Sequence, residues 1–374
     1  LQANFLVNSK EQADSIIEEI DKKISAIILM IVQECNLRCV YCYGNGGEYE
    51  NKGIMTRQTA FESVDFLIRN SDEKELFITF FGGEPLLNFK LIKEVVEYCK
   101  LKEKETGKTF RYSITTNGTL INEEIEEFLK KNKFVIQISI DGKKDKHNAN
   151  RYDINGIGSY DTVIEKTKNL RKESIVSARA TVSSNNMGYV EIFEHLVSLG
   201  FRVVPIAIAK NMLKDSDYDK LYNEYERYIY HFESLIQAGN FVKAKKMIDL
   251  FSAIEKIEYG SERYLGCGVA RNMYAVDIDG RLYPCHRFVA NKEYSLGDIK
   301  SGVSKLLIGN HDQCKTCWAQ NLCLGGCPNE NLLETGSINK ASERNCILTK
   351  LMYEKLIEVY VKLTEQQKSK LFSK

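Results

Sequence analysis

The 374-residue chain has no surplus of either charge: 52 Lys and Arg face 51 Asp and Glu, a formal net charge of +1. So even a balance leaves no electrostatic footprint for nucleic acid or for an anionic membrane surface. No apolar run reaches the roughly 18 residues that span a bilayer; the longest, residues 26–32, has the length of a strand. Residues 1–25 mix charged and apolar side chains, so no signal peptide is read there and a cytoplasmic location is expected. The chain begins with Leu1 rather than a methionine, and a further N-terminal stretch is expected. The 4 prolines decide little. With 43% hydrophobic and 28% charged residues the chain is an ordinary globular one, not a disordered one. At roughly 100–200 residues per domain, its length gives two domains, or one barrel with an appendage.

Cysteine is what the chain has in excess. There are 11, an odd number, with no export signal. Disulfide frameworks belong to short secreted chains, so metal or cluster ligation is the better reading. The hydrophobic pattern sets the frame around them. Residues 7–24 carry Ala13, Ile16, Ile17 and Ile20 at helical spacing. Strand patterns over 26–32, 75–81, 109–116, 134–140, 176–182 and 201–209 alternate with helical patterns over 56–69, 89–102, 123–131, 159–172 and 189–199. Six β/α units imply an α/β fold: a parallel sheet with right-handed crossovers, closed into a partial TIM-type barrel. Sites of such barrels lie at the C-terminal strand ends. A cysteine loop, Gly82-Gly83-Glu84-Pro85, Asn117-Gly118, Ser139, Asp141 and Thr181 all fall there. The expected organisation is an N-terminal extension over 1–25, the barrel over 26–210, a helical linker or insert over 211–262, a cysteine-rich segment over 263–350 and a terminal helix over 351–374.

Cys35, Cys39 and Cys42 form C-x3-C-x2-C directly after the first strand. Three thiolates can cap three irons of a [4Fe–4S] cube and leave the fourth open to a small molecule. Structural zinc wants four ligands, and this loop holds no His. The second array, Cys267, Cys285, Cys314, Cys317, Cys323, Cys327 and Cys346, exceeds what one site needs. Cys99 belongs to neither array and is read as a buried structural thiol.

Cys35-Asn-Leu-Arg-Cys39-Val-Tyr41-Cys42, followed one β/α unit later by Phe81-Gly82-Gly83-Glu84-Pro85, resembles the signature pair of radical S-adenosylmethionine (SAM) enzymes. The resemblance covers about residues 26–209. It implies that Cys35, Cys39 and Cys42 hold a [4Fe–4S] cluster whose open iron binds SAM. Reductive cleavage of SAM would then yield a 5′-deoxyadenosyl radical that abstracts hydrogen. By the same resemblance Glu84 and the Gly82 and Gly83 backbone hold the SAM amine and Tyr41 flanks the adenine. Asn117, Ser139 and Arg179 stand at or near strand ends, where ribose or carboxylate contacts belong. The second array resembles the SPASM domain of radical SAM peptide-modifying enzymes, with two auxiliary clusters. That pattern gives Cys314, Cys317, Cys323 and Cys346 to a complete cluster and leaves Cys267, Cys285 and Cys327 for one with an open iron. The expected cofactors are therefore SAM and three [4Fe–4S] clusters.

The expected substrate is a ribosomally made precursor peptide with a leader, converted to a Cys thioether (ranthipeptide or sactipeptide type). An external one-electron donor such as flavodoxin or ferredoxin is the expected partner. Other SPASM chemistries stay open: carbon–carbon or ether crosslinks, quinone-cofactor maturation and sulfatase maturation. Sulfatase-maturating relatives use an Asp base near the second array, and here Cys285 is followed by His286. About 25 residues precede the first strand, too few for a leader-binding domain. A three-cluster electron carrier and a zinc-stabilised binding module are the readings from other classes.

Overall fold

The computed structural model describes residues 24–260, 267–304, 306 and 311–373. The helix expected over 7–24 lies outside them but for its last residue. Six strands form the parallel sheet that the alternation predicts: β1 (Ala26–Gln33), β3 (Glu75–Gly82), β4 (Thr109–Thr116), β5 (Val135–Ser139), β6 (Val176–Val182) and β7 (Ile206–Ile208). A short β2 (Gly53–Ile54) runs antiparallel to β1. The helices between them are α1 (Arg57–Arg69), α2 (Phe89–Thr106), α3 (Glu123–Lys131), α4 (Lys144–Asn150), α5 (Tyr160–Lys166), α6 (Lys168–Glu173) and α7 (Tyr189–Ser198). The single helix expected over 159–172 is two, divided at Thr167. The last strand is shorter than residues 201–209.

Each helix begins and ends for local reasons. Thr56 caps α1 by accepting the Thr59 N–H, and Asn122 caps α3 by accepting the Ile125 N–H. Glu123, Glu124 and Glu126 fill the first turn of α3 and Lys130 and Lys131 its last, complementing the helix dipole.

Strand alternation sorts the two faces of the sheet. Ile78, Phe80, Ile114, Ile136, Ile138, Ala178 and Ala180 are buried. Their neighbours on the other face are half-buried and mostly polar: Thr79, Phe81, Ser113, Thr115, Gln137, Ser139, Ser177, Arg179 and Thr181. Thr79 bonds Ser113 at 2.7 Å across that face, and Ser139 stands in register with Arg179. The sheet thus encloses a polar cleft inside an apolar shell.

The sheet does not end with the barrel. β8 (Met273–Val276) joins β1 in parallel, pairing Ala26 with Met273 through Leu29 with Val276, and β9 (Leu282–Tyr283) follows antiparallel. β1 is consequently central and buried on both faces. Fully buried Gln33, at its end, donates to the Glu48 and Asn51 carbonyls and accepts the Ile278 N–H at 3.2 Å. One amide therefore fixes the cysteine loop to the C-terminal hairpin.

The segment expected as a linker forms α8 (Tyr218–Gln237), α9 (Phe241–Lys245) and α10 (Ile248–Tyr259). Beyond the hairpin come α11 (Gln320–Cys323), α12 (Pro328–Thr335), α13 (Glu343–Lys362) and α14 (Glu365–Phe372). The long α13 packs on both α8 and α10, and the expected boundary at 350 falls inside it. Among the described residues no helix is long and apolar enough to cross a membrane.

Candidate active site

The loop after β1 carries Cys35, Cys39 and Cys42, and glycines fold it against the end of β3. A Cβ on Gly83 would stand 2.0 Å from the Glu34 carbonyl oxygen, and one on Gly47 2.7 Å from Cys35 Cβ. Gly83 N–H donates to the Val32 carbonyl at 2.8 Å and Glu84 N–H to the Glu34 carbonyl at 2.9 Å. Only glycine permits so close an approach of the two strand ends.

Glu84 is fully buried. Its Oε1 accepts the Leu86 N–H at 3.0 Å and the Thr116 hydroxyl at 2.6 Å, and its Oε2 accepts the Asn117 N–H at 2.7 Å. The carboxylate thereby ties the end of β3 to the end of β4. Burial raises its pKa, against the pull of those three donors. Asn117 Nδ2 donates to Asn36 at 2.8 Å and approaches Cys35 Sγ at 3.9 Å, so this side chain reaches into the cysteine loop.

The loop is held from a second side by Asp141, which the sequence places past a strand end, and by Arg151, which sequence reasoning did not single out. Asp141 is fully buried and accepts the Tyr41 hydroxyl at 2.5 Å and the Thr181 N–H at 3.1 Å. Arg151 donates to the same Tyr41 hydroxyl at 2.9 Å. Burial opposes the Arg151 charge, but Cys39, Tyr41 and Asp141 hold its pKa well above the ordinary value. The signal for Asp141 was position, just past the end of β5 where barrel sites lie. Nothing in the sequence distinguishes Arg151 from a surface arginine. Arg179 makes no side-chain hydrogen bond or ion pair among the described residues, and its charge bears on Asp249 and His286.

The thiols fall into three groups by the charges that reach them. Cys35 feels Cys39, and Cys39 feels Cys42. Cys285 feels both Cys327 and Cys267. Cys314 feels Cys323, Cys346 and Cys317. Burial pushes the Cys35 and Cys285 thiols up to about 12. Cys99 is buried in the core, apart from all three groups.

Tyr43, the residue after Cys42, bridges the first group to the second. Its ring lies 5.6 Å beneath the Arg287 guanidinium and 6.1 Å from the His286 ring, which rests 4.5 Å from Phe81. Arg287 reaches Cys327 Sγ at 3.8 Å and Glu330 at 2.9 Å, and Lys210, just past β7, also pairs with Glu330 at 2.9 Å. Burial, reinforced by Arg287 and Arg179, lowers His286 to about 3 and keeps its imidazole neutral.

Among the described residues eight buried polar side-chain atoms have no partner; three are the core hydroxyls of Tyr112, Tyr189 and Tyr228, and five are nitrogens that test whether these groups suit cofactors: Arg151 Nε, His286 Nδ1, Arg287 Nε, His311 Nδ1 and Asn345 Nδ2. Buried polar atoms are normally satisfied. The five nitrogens belong to residues beside the three thiol groups, where sulfides or a carboxylate would accept from them. Among the described residues no three His, Cys, Asp or Glu side chains converge on one ion position. In a cube each thiolate instead takes its own iron. The donor set therefore fits clusters, and Arg151 Nε beside Cys39 fits the SAM carboxylate.

Residues 29–207 match the model of the radical SAM superfamily. The chain is 29% identical over 336 residues to the cysteine-type anaerobic sulfatase-maturating enzyme of Clostridium novyi (strain NT), covering 82% of this chain and 88% of that one. It is 33% identical over 219 residues to the uncharacterized protein MJ0907 of Methanocaldococcus jannaschii, covering 56% of this chain and 74% of the other. The solved structure of native anSMEcpe with bound AdoMet and Cp18Cys peptide is similar at a TM-score of 0.75 and 24% identity, over 91% of this chain and 100% of that one.

Proposed function

The chain belongs to the radical SAM superfamily and is an enzyme, and from that premise we propose that it is a maturase that closes a Cys thioether in a ribosomally made precursor peptide. Bound SAM and a reduced cluster would supply the 5′-deoxyadenosyl radical that takes a hydrogen atom from the peptide. Cys35, Cys39 and Cys42 would hold that cluster. Gly82 and Gly83 would present the backbone of the β3 end to the SAM amine, and Tyr41 would stand by the adenine. Glu84 acts through the loops it ties together. Arg151 would take the SAM carboxylate, and Asn117 and Ser139 line the strand ends beside it.

The observation that carries the thioether reading is the division of the seven C-terminal cysteines. Cys314, Cys317, Cys323 and Cys346 suffice for a complete auxiliary cluster. Cys267, Cys285 and Cys327 supply only three thiolates and sit on the side nearer Tyr43 and Cys42. An iron left open there would bind a substrate thiolate and lower that thiol's pKa. After hydrogen abstraction the thiolate sulfur would close on the carbon radical and the auxiliary cluster accept the surplus electron. An external one-electron donor such as flavodoxin or ferredoxin would reduce the first cluster.

The sulfatase-maturating relatives favour a second reading, oxidation of a protein Cys or Ser side chain. Against it, a neutral imidazole, His286, follows Cys285. The test is anaerobic incubation of the reconstituted enzyme with SAM, a reductant and Cys-containing peptides, read by mass spectrometry. A product short of two hydrogens and its free thiol supports the thioether. A carbonyl product that has lost sulfur supports the second reading. No 5′-deoxyadenosine under any condition would overturn both.

A further inference from the structure

Arg179 carries a permanent charge into the polar cleft yet makes no side-chain hydrogen bond or ion pair among the described residues. It projects on the same face of β6 as Ser177 and Thr181, in register with Ser139. The carboxylate whose charge reaches it, Asp249, is desolvated and already accepts the Ile206 N–H at 2.8 Å. His286, which also feels Arg179, holds its Nδ1 out of solvent with no partner among the described residues. That ring rests on Phe81, one residue before Gly82, and lies beside Tyr43, one residue after Cys42. His286 therefore borders the first thiol group on one side and the Cys285 group on the other, and Arg179 faces the same side of the sheet as Phe81 from β6. The SAM carboxylate does not explain them, because Arg151 is the cation that reaches Cys35 and Cys39.

We propose that Arg179 and His286 form an anion-binding subsite in the barrel cleft for a carboxylate of the peptide substrate, an Asp or Glu side chain close to the residue being modified. The chemistry selects this class. A guanidinium presents a planar fork of donors that a carboxylate meets with two oxygens, and a carboxylate keeps lone pairs to spare for an imidazole N–H. A neutral amide of the same shape offers one acceptor oxygen and brings N–H donors against a cation. A partly desolvated arginine also gains most from an opposite charge. The subsite deepens the maturase reading and rests on it.

The test uses the full chain, reconstituted anaerobically and saturated with SAM. The probes are acetyl-Gly-Cys-Gly-Glu-Gly amide and its Gln counterpart, with binding followed by calorimetry. The Glu peptide is expected to bind about 10-fold or more tightly than the Gln peptide, as charge-assisted hydrogen bonds allow. Arg179→Gln should erase that preference, Arg179→Lys should restore part of it, and His286→Phe should narrow it. Equal affinities in the wild type overturn the subsite, and so does a preference that survives Arg179→Gln. A variant Arg179→Gln that loses SAM affinity and keeps the peptide preference assigns the arginine to the cofactor and also overturns it. Iron content and SAM binding on the same samples separate the two readings. A wild type that holds neither removes the maturase reading and the subsite with it, whereas equal peptide affinities in a fully loaded sample remove the subsite alone.

Discussion

Glu84 is fully buried and accepts three hydrogen bonds. Glu84→Ala strands the Leu86 and Asn117 N–H groups and the Thr116 hydroxyl, and at ~1–3 kcal/mol for each orphaned group it should cost roughly 3 kcal/mol or more. The check is the urea midpoint of the apo protein; a loss within experimental error would show that the carboxylate does not join the strand ends. His147 gives a pH signature. It is fully buried, its Nδ1 accepts the Asp141 N–H at 3.3 Å and its Nε2 bonds Ser159 at 2.9 Å. Burial first, and then the Arg151 charge, lowers it from 6.5 to about 3. Between those values the unfolded chain binds the proton and the native one does not, so this part of the stability is complete above 6.5 and lost as pH falls toward 3. His147→Gln should flatten the stability profile over that window relative to wild type. Parallel profiles would refute the assignment. At this scale the sequence revealed the cysteines and Glu84 through their motifs. It hid Arg151, because a buried guanidinium is made by what packs over it and not by its neighbours in the chain.

At the scale of elements the end of β3 is the sensitive point. Gly83→Ala places a methyl against the Glu34 carbonyl, backbone on backbone, with no flexible side chain to yield. Overpacking of this kind costs ~1–3 kcal/mol, and here the strain should also push the cysteine loop away from β3. The expected result is weaker SAM binding at nearly full iron content, measured by equilibrium dialysis of the reconstituted variant. Unchanged SAM affinity would mean that the close approach serves stability alone. The β/α alternation was legible because period-2 and period-3.6 patterns are local. Several elements were not, and two show why. The helix expected over 159–172 breaks at Thr167. The strand Met273–Val276 joins β1, more than 200 positions away, and so short a run carries no pattern of its own.

For the whole molecule, the arrangement joins the barrel and the cysteine-rich region through one sheet, one buried glutamine and the helix α13. Unfolding should accordingly be a single transition. Tyrosine fluorescence and far-ultraviolet circular dichroism of the apo protein in urea should give coincident curves, and two separated steps would show independent domains. Iron should follow the three thiol groups. Reconstituted wild type should bind ~12 iron, and the triple variant Cys35/Cys39/Cys42→Ala ~8, with the remainder in the C-terminal groups. About four iron in the wild type, all lost in the triple variant, would leave those C-terminal cysteines another role.

The sequence by itself determined whatever depends on residues close along the chain. That covers the C-x3-C-x2-C loop, the glycine turn, the strand and helix order, and hence a partial barrel with its site at one end. Only the tertiary structure decided what depends on residues brought together from afar. It brought Cys267 into electrostatic reach of Cys327, Arg151 of the first thiols and Arg179 of His286, and it stitched the C-terminal hairpin onto β1. The physical reason is range. Periodicity and spacing are written in local backbone geometry, whereas burial, charge pairing and unpartnered donors exist only once distant segments have packed.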